Sequence, residues 1–114
     1  MKELKTHEDW QACLETSSEK PVFVFKHSTA CPISGAAYNR VTEYTGKTNG
    51  QGPDIFIVKV IEARPVSNQI AEDLGVAHKS PQVVLVKDKA VVWSASHHGV
   101  RGERMQEAFE NAAS

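Results

Sequence analysis

Thiol chemistry in this chain centres on Cys31, which is followed at once by Pro32 in the stretch His27-Ser28-Thr29-Ala30-Cys31-Pro32-Ile33-Ser34. The stretch joins the most strand-like run in the sequence, Val22-Phe23-Val24-Phe25, to a helix-like segment that starts at Pro32. Proline suits the first helical position because it has no backbone N–H to lose there. Cys31 then falls at the helix N-terminus, where orphan N–H groups and the macrodipole favour negative charge; a thiolate is the charge that profits. The terminus supplies up to ~2 kcal/mol toward an anion in partly buried geometry. The N–H groups of Ile33 and Ser34 and the Ser34 hydroxyl add to it. With a Brønsted slope of ~0.4–0.5, a better-stabilised thiolate is also a weaker nucleophile, so the two effects nearly cancel for attack. The larger benefit comes when Cys31 must leave.

A lone cysteine is by default an inert core residue. The helix-start position and Pro32 tip Cys31 toward the reactive reading. Cys13 reads the other way: it shares the stripe Trp10, Cys13, Leu14, with Ser17 one turn beyond, the spacing of a core-facing helix face. It is expected in the core and not as a thiol that resolves Cys31.

The chain has 114 residues, enough for one domain (1–114) with a single core. Thirteen basic and fourteen acidic residues leave it near neutral, which gives no reason to expect nucleic acid or an anionic membrane as partner. No apolar run is long enough to span a membrane, and Met1-Lys2-Glu3-Leu4 lacks the apolar region of a signal peptide. Two cysteines make no disulfide framework, and a reducing cytoplasm fits best.

The elements that must position Cys31 follow from pattern. Lys2 to Lys5 is too short to assign by pattern, though Leu4 could anchor a brief edge strand. Thr6 and Asp9 form a capping box for a helix to about Ser17. The continuous apolar run Val22–Phe25 reads as a central strand covered on both faces, ended by Lys26 and His27 at its polar C-terminal edge. From Pro32 a helix runs through Val41 and Tyr44, with Gly46 as its C′ residue, and 47–53 is an exposed loop. Ile55 to Val60 is a second buried strand. Pro65 opens a third helix closed by Gly75. Gln82–Val86 and Ala90–Trp93, joined by Lys87-Asp88-Lys89, form a hairpin, and a last helix covers about Val100 to Ala112. Strands separated by helices imply parallel crossovers, with the hairpin as an antiparallel edge. Ligands in such open sheets bind beyond the strand C-termini, where Cys31 lies.

This order, with a cysteine at a strand–helix junction and Ser80-Pro81 leading into the terminal hairpin, resembles the thioredoxin fold over nearly the whole chain. The implied architecture is α/β: a central mixed sheet of four to five strands flanked by helices, with a cis proline before the hairpin. Thr29-Ala30-Cys31-Pro32-Ile33-Ser34 is similar to the active-site segment of the monothiol bacilliredoxins, small cytoplasmic proteins of bacteria that use the low-molecular-weight thiol bacillithiol. The family pattern has Thr directly before Cys-Pro; here Ala30 stands there and Thr29 is one place back.

The resemblance implies reduction of mixed disulfides between proteins and bacillithiol, with S-bacillithiolated proteins as partners, bacillithiol as co-substrate and no tightly bound cofactor. Cys31 would be the nucleophile, and Pro32, Ile33 and Ser34 would steady its thiolate. Thr29, Ala30, Ser80, Pro81, His98 and Gly99 would line the substrate site. A cis Pro81 would set the Ser80 backbone beside Cys31, where an extended substrate pairs as at a strand edge. His97-His98-Gly99, ahead of the last helix, is either a polar loop or a contact for the carboxylates of the small thiol, aided by the helix N-terminus. Lys26 is either a solvated strand end or an attractor of those carboxylates. His27 either tunes the thiol or caps the sheet edge.

Where dithiol sites carry a second cysteine three places on, this chain has Ser34, which cannot attack a disulfide. A second small-thiol molecule or another reductase must therefore clear Cys31. The alternative function is an iron–sulfur or metal carrier using Cys31 with an external thiol, but such carriers have Gly after the cysteine where Pro32 stands, and two cysteines are few ligands for one chain. A zinc site from Cys31 and His97 or His98 matches no structural spacing. A cysteine hydrolase with a His98 base ranks lower still in so small a fold.

Overall fold

The computed structural model describes residues 1–48 and 50–113; Asn49, within the loop expected over 47–53, and Ser114 lie outside the described residues. The chain runs through β1 (Lys2–Glu3), α1 (His7–Ser17), β2 (Val22–His27), α2 (Pro32–Thr48), β3 (Asp54–Lys59), α3 (Arg64–Leu74), β4 (Gln82–Lys87), β5 (Ala90–Ser96), a 3-10 turn (His97–Gly99) and α4 (Gly102–Ala113). Five strands make one mixed sheet in the order β1-β3-β2-β4-β5. None of the described helices is long and apolar enough to cross a membrane.

All six residues of β2 are buried, as a strand covered on both faces requires. Phe23 and Phe25 pack with Ile55, Val83 and Leu85 against Val41, Tyr44 and Met105 on one side of the sheet. On the other side Val22 and Val24 pack with Val58 and Val84 against Trp10, Cys13, Val66 and Ile70. Cys13, 1% exposed, therefore belongs to the core beneath α1 and α3, as its stripe predicts.

The capping box at Thr6 and Asp9 forms as expected, with the Thr6 hydroxyl accepting from the Asp9 N–H and the Asp9 carboxylate from the Thr6 N–H. Ser17, read as the end of an apolar stripe, does polar work instead: its carbonyl and hydroxyl accept from the N–H groups of Asp88 and Lys89. Those two turn residues have φ of 53° and 64°, the left-handed pair that a two-residue hairpin loop demands. Gly75 closes α3 at φ 66°, where a side chain would strain the backbone.

Four expectations change. The helix from Pro32 passes through Gly46 and reaches Thr48; a glycine costs only ~1 kcal/mol in a helix, and the side of α2 that carries Val41 and Tyr44 stays buried. β5 continues to Ser96 because Ser94, Ala95 and Ser96 still pair with Val84, Val83 and Gln82. α4 begins at Gly102, since Val100 is buried after the 3-10 turn. β4 runs antiparallel to β2, so the passage from β3 through α3 is not a parallel crossover. Residues 75–81 carry the chain back to the end of β2 where the strand emerges, and Gln82 there faces Lys26.

Lys26 is itself a correction. It lies within β2, 1% exposed, and is no solvated strand end. Its Nζ donates to the Ser67 carbonyl at 3.2 Å and lies 3.3 Å from His78 Nδ1. Burial pushes its pKa down to about 8. Between that value and the unfolded 10.5 the unfolded chain holds a proton the folded chain has released, so this group adds stability as pH rises through that window. Lys26→Met is expected to be more stable than the parent at pH 7 by about 1 kcal/mol or more. Urea denaturation at several pH values checks this: the difference should shrink from pH 8 to pH 10.5.

Candidate active site

The emerging end of β2 gathers the candidate residues by register. His27 pairs with Lys59 of β3, Lys26 with Gln82 of β4, and Gln82 with Ser96 of β5. The segments that follow or precede these positions, 28–31, 60–63, 80–81 and 97–99, therefore converge on one rim. Val60 N–H donates to the His27 carbonyl at 3.0 Å, and Thr29 Oγ1 donates to Glu62 Oε2 at 2.9 Å, which ties two of these loops together.

Cys31 closes a turn, its N–H donating to the Ser28 carbonyl at 3.3 Å, and then starts α2, its carbonyl accepting from Gly35 N–H at 2.9 Å. It is thus the residue that caps α2, with Pro32 first in the helix. Since Pro32 has no N–H, the helix-start donors outside the i→i−4 ladder are those of Ile33 and Ser34, two and three residues after the cysteine. Cys31 is half-buried, while Thr29, Ala30, Pro32 and Ile33 are exposed, so the sulfur's residue sits among side chains that an incoming molecule meets first.

Ser34 is fully buried. Its Oγ accepts from Ser28 N–H at 2.9 Å and lies 2.8 Å from His27 Nδ1. The hydroxyl therefore pins the loop before Cys31 to the helix after it. A hydroxyl has one proton, so Ser34 can give it to a Cys31 thiolate only when His27 is the donor in their shared bond. The His27 ring is stacked between Phe25, at 5.7 Å, and Tyr38, at 5.0 Å. Burial, opposed by Glu62 and reinforced by Lys59, lowers its pKa below the ordinary histidine value. His27 is in the site as a loop support.

Ser80-Pro81 is cis, as the resemblance implies. The Pro81 carbonyl accepts from His97 N–H at 3.0 Å, so the 3-10 turn stands directly against the proline. Arg40 of α2 straps that turn down: Nε donates to the Val100 carbonyl at 2.7 Å and Nη2 to the His97 carbonyl at 3.1 Å. His97 itself has φ of 56°, rare for a residue with a side chain. His98 is exposed and Gly99 half-buried on the same turn.

The sequence-derived set thus splits. Thr29 to Ser34, His27, Ser80, Pro81, His98 and Gly99 meet at the rim; Lys26 turns to the opposite side of the sheet from Phe25 and His27, toward α3. Sequence pattern does not single out Arg40, Tyr38 or His78 for the site. Tyr38 lies one helical turn after Ser34, a spacing that points to it; Arg40 and His78 carry no local signal. The Cys13 thiol sits in the other core, and burial, with Asp54 adding, pushes its pKa up to about 12.

A family model described as monothiol bacilliredoxin BrxC matches residues 2–105. Among solved structures, the chain is similar to a proposed oxidoreductase with a thioredoxin fold, at 28% identity over 94% of this chain and 91% of that one, with a TM-score of 0.83. It is also similar in fold to thioredoxin from Fasciola hepatica (16% identity, 98% and 99% covered, TM-score 0.75) and to thioredoxin NaTrxh from Nicotiana alata (16%, 99% and 92%, TM-score 0.76).

Ser34→Ala leaves the half-buried Ser28 N–H without its partner, which costs about 1 kcal/mol, the low end of the range for a buried group. Chemical denaturation should show that loss, and amide exchange at Ser28 should speed up in the same variant.

Proposed function

The chain belongs to the monothiol bacilliredoxin family, and on that footing we propose that it reduces mixed disulfides between proteins and bacillithiol in a reducing cytoplasm, taking the small thiol onto Cys31. Family membership and a thioredoxin fold support thiol redox function in general. The observation that carries the finer reading is a half-exposed cysteine capping a proline-started helix, with a buried serine three places on and the other thiol in the opposite core.

In the first step the Cys31 thiolate attacks the bacillithiol sulfur of the mixed disulfide. A bond forms between Cys31 Sγ and that sulfur, the bond to the client sulfur breaks, and the client leaves as a thiolate that takes a proton from water. The helix-start N–H groups of Ile33 and Ser34 favour negative charge on Cys31 before this step. In the second step a free bacillithiol thiolate attacks the bacillithiol sulfur held on Cys31. Cys31 leaves as a thiolate, and the disulfide of two bacillithiols departs. One S–S bond has been exchanged for another: the client sulfur is reduced to a thiol, and the incoming bacillithiol is oxidised into the disulfide that departs. A cysteine at position 34 would compete for the second step; Ser34 cannot, and the Cys13 thiol, with a pKa of about 12, stays protonated and enclosed.

Thr29, Ala30 and Ile33 present the exposed approach to the sulfur, and the Ser80-Pro81 edge receives the extended client chain. The turn carrying His98 and Gly99, held by Arg40, meets a carboxylate of the small thiol.

Intact mass spectrometry with a bacillithiol-blocked client tests the proposal. One bacillithiol adduct should move to Cys31, none should form in Cys31→Ser, and Cys13→Ser should turn over at the parent rate within about twofold. Loss of turnover in a folded Cys13→Ser would sink the single-thiol mechanism. A visible chromophore after anaerobic iron and sulfide reconstitution would favour the carrier reading instead.

A further inference from the structure

Lys26 and Gln82 face each other across the β2–β4 pairing, so their side chains leave the same face of the sheet. Both are buried, and both reach the segment that leads into Pro81. Gln82 Nε2 donates to the Ala77 carbonyl at 3.2 Å, and Lys26 Nζ lies 3.3 Å from His78 Nδ1. Two neighbouring residues of this segment are thus held from beneath by a cross-strand pair.

The chemistry of the second contact is restrictive. An ammonium only donates, so Nδ1 of His78 must accept, and the single ring proton of the neutral imidazole stands on Nε2. That nitrogen is on the ring edge away from Lys26, and His78 is exposed. Lys26's other partner is the Ser67 carbonyl, a neutral acceptor. Desolvation, with the cationic charges of Lys26 and Arg64 adding to it, holds the pKa of His78 below the ordinary value. The first turn of α3, beginning at Arg64, has neither an acidic residue nor a side-chain cap. Glu62, on the loop before it, is engaged with Thr29. An oriented N–H donor in a cationic setting, two residues before Ser80, suits an anionic oxygen.

We propose that His78 is a specificity residue whose Nε2–H receives one carboxylate of the small thiol at the segment that leads into Ser80-Pro81, and that Lys26 is the positioning residue that fixes this donor. The inference rests on the reading that a carboxylate-bearing thiol passes to Cys31. His78 would bind the transferred thiol through that carboxylate and leave the sulfur chemistry to Cys31.

The test uses one client protein blocked either with bacillithiol or with 2-mercaptoethanol, which has no carboxylate. His78→Leu should raise KM for the bacillithiol-blocked client about tenfold, the order expected for one hydrogen bond to a charged group. It should leave kcat, and both constants for the 2-mercaptoethanol-blocked client, unchanged. His78→Gln keeps an oxygen for Lys26 and an amide donor beyond it, and should stay within about twofold of the parent. Iodoacetamide alkylation of Cys31 should be equal in all variants. Equal losses with both blocking groups, or none in His78→Leu, overturn the proposal.

Nitrogen NMR decides the matter without turnover. The parent should carry the His78 proton on Nε2, Lys26→Met should lose that preference, and added bacillithiol should shift Nε2 where 2-mercaptoethanol does not. A proton on Nδ1 in the parent, or no shift with bacillithiol, refutes the inference. A parent that shows the shift yet transfers neither blocking group retains the binding site and refutes the mixed-disulfide reading alone.

Discussion

Every residue of β2 is buried, so the polar side chains at its end must find partners inside the protein. Those partners belong to the segments that build the site. His27 leaves one face of the strand and meets Ser34 in the first turn of α2; Lys26 leaves the other and meets Ser67 of α3 and His78. Burial of a polar group without a partner costs several kcal/mol, so these contacts are obligations of the central strand. The loop holding Cys31 and the segment holding Pro81 are fixed to one strand from its two sides.

That arrangement separates support from exposure. Ser34 and His27 lie beneath, buried and mutually bonded, while Thr29, Ala30, Pro32 and Ile33 face solvent around the half-buried cysteine. A nucleophile in a disulfide exchange has to be reached along the line of the breaking bond, yet its helix-start donors act only at close range. A rigid underside with an open rim meets both demands. The third wall is held the same way: the Arg40 guanidinium takes two carbonyls of the turn at 97–100, and His97 keeps its unusual φ because its N–H and carbonyl are both engaged.

The serine at position 34 acquires a second meaning in this light. On the proposed reading, a serine where dithiol sites carry a resolving cysteine removes one chemical step. As a hydroxyl that accepts from Ser28 N–H and pairs with His27, it also holds the loop before Cys31 to its helix. A thiol is a weak partner in both bonds. Conversion to a dithiol site would thus cost loop support as well as change the chemistry, and the buried Cys13 offers no substitute.

Much was legible in the chain itself. Apolar periodicity placed α1, β2, β3 and the hairpin, and the Cys31-Pro32 pair placed the sulfur at a helix start, because such signals depend on neighbours within a few residues. Cys13 in the core followed from its stripe. Tertiary structure alone decided the rest. Gly46 reads as a stop signal, yet the buried side of α2 carries the helix past it. Lys26 reads as a strand end in water, and only the packing of α3 and residues 75–81 over β2 encloses it. The roles of Ser34, His78 and Arg40 likewise hang on partners 6, 52 and 60 positions away. Local pattern records what a residue prefers; which buried donor must meet which acceptor is settled only when distant segments close over the same strand.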